Sequence, residues 1–123
     1  MILVDSSVWI DHLRASNTAL VDLLNRGQVL AHPFVTGELA LGSLRQRGTI
    51  IAMLMGLPKA VVAEDGEVMA FIERQSLHER GIGYIDAHLL ASVRLTADAS
   101  LWTRDRRLHE TAVELGLAAT PLG

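Results

Sequence analysis

The sequence predicts a single three-layer α/β/α domain over residues 1–123, with a central, mainly parallel sheet between helices. Three observations predict it. Short apolar runs alternate with longer segments of helical period, and strands separated by helices pair in parallel through right-handed crossovers. A chain of 123 residues suits one hydrophobic core. Half of those residues are hydrophobic and a fifth are charged, the balance of a soluble globular domain.

The first strand is residues 2–4, an apolar run ended by Asp5-Ser6-Ser7. A helix follows from Ser7, with Val8, Trp9, Ile10 and Leu13 on one face and a polar run over 14–17 at its end. Thr18 is placed to cap a second helix over 19–25, which Gly27 closes. Residues 29–31 form a second strand. His32-Pro33 opens a third helix carrying Phe34, Val35, Glu38, Leu39, Leu41 and Leu44, because proline suits a first turn. Gly48-Thr49 is expected to break the chain before the apolar run 50–57, itself ended by Gly56 and Pro58. Val61-Val62 reads as an extended link before a helix over about 66–80, so that 49–80 forms a helical hairpin. After Gly81 and Gly83 come a helix over 85–96, a strand over 101–103, and a last helix from Asp105 to about 115, ended by Gly116. Residues 118–120 are a candidate final strand.

No cysteine is present, which excludes disulfides and thiolate metal sites and removes one argument for secretion. No basic n-region precedes a long apolar run, so no signal peptide is expected. No window approaches the roughly 18 continuous apolar residues of a membrane span. The expected location is cytoplasmic, without a membrane partner. Net charge is −3, yet Lys59 is the only lysine among eleven basic residues. Arginine forks match phosphate oxygens, which permits a nucleic-acid partner without demanding one.

Four acids stand where their neighbours are apolar or where a strand ends: Asp5, Glu38, Asp86 and Asp105. Ser6 or Ser7 suffices to cap the helix, so Asp5 asks for another reason, and ligands of open α/β sheets bind beyond the carboxyl ends of strands. Each acid alone has a structural explanation. Asp86 and Asp105 suit a first helical turn, Asp5 suits a turn, and Glu38 could pair with an arginine such as Arg45. Together they are harder to explain so, since strand ends of a parallel sheet share one edge. Carboxylates crowded there raise one another's pKa and destabilise the fold unless a cation is present. An all-carboxylate oxygen set suits Mg²⁺ or Mn²⁺ rather than zinc. The remaining ten acids lie on polar faces or in loops and read as solvated.

These residues carry a resemblance. Asp5-Ser6-Ser7-Val8-Trp9-Ile10-Asp11, Glu38-Leu39, Tyr84-Ile85-Asp86-Ala87 and Leu101-Trp102-Thr103-Arg104-Asp105 resemble the four motifs of PIN-domain nucleases. The short length and the opening are most similar to the VapC toxins of bacterial toxin–antitoxin pairs. The resemblance runs nearly end to end, and four motifs in order are specific where one is not. It implies a metal-dependent endoribonuclease whose acidic residues map onto Asp5, Glu38, Asp86 and Asp105 and whose hydroxyl positions map onto Ser6 and Thr103. No acidic position departs from the pattern.

On that basis Asp5, Glu38 and Asp86 are expected to hold a first Mg²⁺, partly through water, with Asp105 completing the cluster or helping to hold a second ion. Ser6 is expected to support Asp5, leaving Ser7 to cap the helix. Arg14, Arg104, Arg106 and Arg107 are candidate contacts to RNA phosphates. The five histidines share no spacing and read as structural or exposed. The resemblance also implies a homodimer and a groove for a VapB-like antitoxin, whose basic side chain would approach the acids. Residues 9–13 and 50–57 supply apolar surface for such contacts, with no sign of which serves which partner.

Rival readings fare less well. A haloacid-dehalogenase-type phosphatase wants a second Asp two residues after the first, where Ser7 stands. A receiver domain wants an early acidic pair and a late lysine, and the one lysine is Lys59. A housekeeping RNA-processing PIN nuclease, or a degenerate PIN-like module that binds RNA or a partner without cutting, are the nearer alternatives. The RNA target, its cleavage sequence and the number of metal ions are not legible.

Overall fold

The computed structural model describes residues 1–120. Among them the elements run β1 (Ile2–Val4), α1 (Ser6–Arg14), α2 (Thr18–Asn25), β2 (Val29–Leu30), α3 (Pro33–Leu41), α4 (Arg47–Met55), α5 (Asp65–Gln75), α6 (Tyr84–Leu95), β3 (Ser100–Trp102) and α7 (Arg106–Glu114). The sheet has the order β2-β1-β3 and is parallel throughout, pairing Leu3 with Leu30 and with Leu101. Single parallel bridges extend both edges, Lys59 beside Ala31 and Ala118 beside Leu101. The expected strand at 118–120 is thus reduced to one bridge.

A strand covered on both faces must be apolar at every position. Leu3, Val4, Leu30 and Leu101 are accordingly buried, with Trp9, Leu89, Leu90 and Leu108 packed around them. Trp9 is 1% exposed and belongs to this core, not to a partner's surface, whereas Ile10 is 39% exposed. No helix among the described residues is long and apolar enough to cross a membrane.

Helix ends depart from expectation where capping decides them. Asn17, not Thr18, caps α2, its Oδ1 accepting from the Leu20 N–H at 3.0 Å. The third helix stops at Leu41, so Leu44 lies in the following loop. The break falls before Arg47, at a left-handed Gln46 (φ 52°), and Gly48-Thr49 sits inside α4. A single glycine in a helix costs only about 1 kcal/mol, less than the apolar surface of α4 recovers by packing. Helix α5 ends at Gln75 rather than near 80. Ser76 turns left-handed (φ 52°) and the Leu77 N–H bonds the Ile72 carbonyl at 3.0 Å, with the Leu77 side chain buried behind it.

His32 caps α3 from within the core. Its Nδ1 accepts from the Phe34 N–H at 3.1 Å, which puts the neutral ring's proton on Nε2, 3.0 Å from Ser92 Oγ. Ser92 Oγ also accepts from the Ala63 N–H at 3.1 Å, so one imidazole ties α3 to α6 and to the segment before α5. Burial first, then the charge of His88, lowers the His32 pKa to about 4. The native ring therefore binds fewer protons than the unfolded one below the ordinary value of 6.5. Stability present above pH 6.5 is lost as pH falls toward 4, by up to about 3 kcal/mol. Urea titrations should show this loss in the parent and a flatter profile in His32→Asn; parallel profiles would clear His32 of it.

Candidate active site

The central strand β1 ends on Asp5, whose N–H extends the ladder to the Trp102 carbonyl at 2.9 Å. Asp5 is the N-cap residue of α1, yet its side chain makes no capping bond. Instead, Oδ2 accepts from Ser7 Oγ and from Thr103 Oγ1, each at 2.8 Å. Both hydroxyls accept in turn, Ser7 from the Arg104 N–H and Thr103 from the Asp105 N–H, each at 3.0 Å. Each hydroxyl thus has its one proton committed to Asp5 and its oxygen committed to the loop after β3. This arrangement fixes one carboxylate oxygen and joins the first and last motifs.

Ser7, not Ser6, supports Asp5, and Ser7 does not cap the helix. Adjacent residues at a helix start are rotated by about 100°, so Ser6 reaches a different acid, donating to Glu38 Oε1 at 3.3 Å. An Asp with a hydroxyl two residues on was the available signal for Ser7.

The other three acids are brought in by different elements. Glu38 stands one turn after Phe34 on α3. Its pKa is raised by desolvation, then by the charge of Asp5 and, more weakly, of Asp86, against the Ser6 hydrogen bond. Asp86 lies in the first turn of α6 and accepts from the Gly83 N–H at 3.1 Å. Burial raises its pKa most; the Gly83 bond opposes this, and the charges of Asp5 and Asp105 add to it. Asp105 caps α7 through a 3.0 Å bond from the Leu108 N–H, which makes it a structural cap as well as a member of the group. Glu38 and Asp86 thus both sense the charge of Asp5, and Asp86 senses that of Asp105 as well.

Their fit to a cation follows from the donor chemistry. Among the described residues no lysine or arginine forms an ion pair with any of the four, so the proposed pairing of Glu38 with Arg45 is not made. Nor do any three acidic or histidine side chains converge as a ready-made metal cage. Unneutralised carboxylate oxygens are nonetheless the donor type that a hard divalent ion takes.

The candidate phosphate-binding arginines separate. Arg104 Nε meets Asp11 Oδ2 at 2.9 Å and Arg106 Nε meets Glu110 Oε1 at 3.0 Å, exposed pairs that contribute little to stability. Arg107 packs over Gly81 ahead of α6, where a Cβ would come within 2.6 Å of its guanidinium and where φ is +76°. Arg14 lines a cavity of about 710 Å³ with Ile10, Leu13, Leu44 and Arg45. A second, mostly apolar groove of about 370 Å³ lies between α3 and the end of α4, along Thr36, Gly37, Ala40, Leu54 and Met55.

Residues 2–114 match the family model described as the PIN domain. Ribonuclease VapC32 of Mycobacterium tuberculosis, in strains CDC 1551 / Oshkosh and ATCC 25618 / H37Rv, is 48% identical over 118 residues. That match covers 96% of this chain and 95% of the relative.

Proposed function

The chain belongs to the PIN-domain family, and on that premise we propose that it is a VapC-type endoribonuclease, the toxin of a type II toxin–antitoxin pair. The observation that carries this reading is Asp5, pinned by Ser7 and Thr103 at the end of the central strand, with its charge raising the pKa of both Glu38 and Asp86. Asp5, Glu38 and Asp86 would hold Mg²⁺, or Mn²⁺ in its place, partly through water, with Asp105 as the fourth carboxylate. When bound, such an ion supplies an acidified water and neutralises charge on the phosphorus oxygens. The chain's own contributions are distinct. Ser7 and Thr103 orient Asp5, Ser6 orients Glu38, and Arg104, Arg106 and Arg107 take RNA phosphates next to the cluster.

For the partners, we assign the cavity of Ile10, Leu13 and Leu44 to a VapB-like antitoxin, with Arg14 and Arg45 meeting acidic residues on it. The groove beside α3 and α4 is assigned to a second copy of the chain. RNA as substrate makes the cytoplasm the place of action. Induced expression followed by sequencing of RNA 5′ and 3′ ends tests the reading. The expected result is growth arrest with new RNA ends, relieved by the co-expressed antitoxin. New ends without toxicity would favour a housekeeping RNA-processing nuclease, and no new ends would favour a non-catalytic module.

A further inference from the structure

Tyr84 is the only tyrosine in the chain and opens α6, two residues ahead of Asp86, with 47% of its surface exposed. Its ring is nonetheless held. It meets the His88 ring at right angles with centroids 4.8 Å apart; His88 packs edge-on against Phe34 at 4.6 Å, and Phe34 against His32 at 5.2 Å. Asp65 closes the column from the side. Its Oδ1 lies 3.3 Å from His88 Nε2, near enough for an ion pair with a protonated ring but outside hydrogen-bond geometry.

Four aromatic rings thus run from buried His32 to the surface. Core packing accounts for His32, Phe34 and His88. It does not account for a half-exposed ring fixed at the outer end. The column and the acids are carried by the same two helices, Phe34 with Glu38 on α3 and Tyr84 with Asp86 on α6.

We propose that Tyr84 is a stacking platform for an unpaired RNA base beside the scissile phosphate, selecting single-stranded over duplex RNA. This rests on the ribonuclease reading. Aromatic side chains grip unpaired bases by stacking, worth about 1–3 kcal/mol per base, and a ring already held against His88 loses little freedom on binding. The contact is uncharged, so it adds affinity without steepening salt dependence, unlike the arginines.

The test is steady-state cleavage of a single-stranded RNA and its duplex by the parent, Tyr84→Phe, Tyr84→Leu and Tyr84→Ala, with sedimentation of each. Tyr84→Ala and Tyr84→Leu should raise KM on the single strand by about 5- to 150-fold and blur the preferred base beside the cut. Tyr84→Phe should keep the parent's values. Unchanged KM and unchanged base preference in Tyr84→Ala would overturn the platform while leaving the nuclease reading intact. Equal loss on both RNAs, together with loss of a dimer, would overturn it in favour of an interface between copies. A parent that cleaves no RNA in Mg²⁺ would overturn both.

Discussion

Asp5→Asn should lower RNA cleavage in Mg²⁺ by about 10³-fold or more, equal to roughly 4 kcal/mol of transition-state stabilisation, while the fold survives. The substitution keeps the side chain's shape. Its amide oxygen can still accept from Ser7 Oγ and Thr103 Oγ1, so the tie between β1 and the loop after β3 persists. What disappears is the negative charge that both Glu38 and Asp86 sense and that a divalent ion would neutralise. Single-turnover cleavage and a melting curve, measured on the same preparation, separate chemistry from folding. Cleavage at the parent rate would remove Asp5 from the site; a collapsed melting curve would show that it acts chiefly through structure.

Asp86→Asn should have two effects of opposite sign. In the folded protein the Asp86 carboxyl has a pKa above the ordinary 3.8, raised chiefly by burial and then by Asp5 and Asp105. The native state therefore binds a proton at higher pH than the unfolded chain. Its ionised form costs stability at neutral pH, and the cost is relieved as pH falls through the folded pKa. Asparagine removes that charge and keeps an oxygen to accept from the Gly83 N–H. Without metal, the variant should melt above the parent at pH 7 and converge with it toward pH 4. With Mg²⁺ the order should reverse, because a ligand of the native state stabilises only the chain that binds it, and cleavage should fall as for Asp5→Asn. Calorimetric scans with and without Mg²⁺ check both halves. A variant that melts lower than the parent in EDTA at pH 7 would show that the Asp86 charge is compensated within the protein.

What was legible in the sequence has a physical pattern. Residues 2–4, 29–30 and 101–102 could be read as strands because a parallel strand buried on both faces is apolar at every position. The start of α4 and the end of α5 could not, because left-handed Gln46 and Ser76 set them, and neither residue type announces that conformation. Trp9 and Ile10 are neighbours in one apolar run, yet helix phase sends the first into the core and leaves the second at a groove.

The candidate site divides in the same way. Asp5 stood out because no local task required it, and Thr103, a hydroxyl position that the resemblance implied, donates to it on the folded chain. Ser6 and Ser7 were exchanged because the phase of α1 at its first turn, not residue type, decides which hydroxyl reaches which acid. Arg104 and Arg106, candidate phosphate contacts in the sequence, are paired with Asp11 and Glu110 on the folded surface.

Hydrolysis of RNA by this chain is proposed to require a divalent ion on the carboxylates of Asp5, Glu38, Asp86 and Asp105. It is tested most directly by incubating the purified protein with single-stranded RNA in Mg²⁺, in excess EDTA, and in EDTA followed by restored Mg²⁺ or Mn²⁺. Cleavage in the first, none in the second and recovery in the third is the predicted result. Cleavage that survives EDTA undiminished would contradict it and point to a metal-free mechanism.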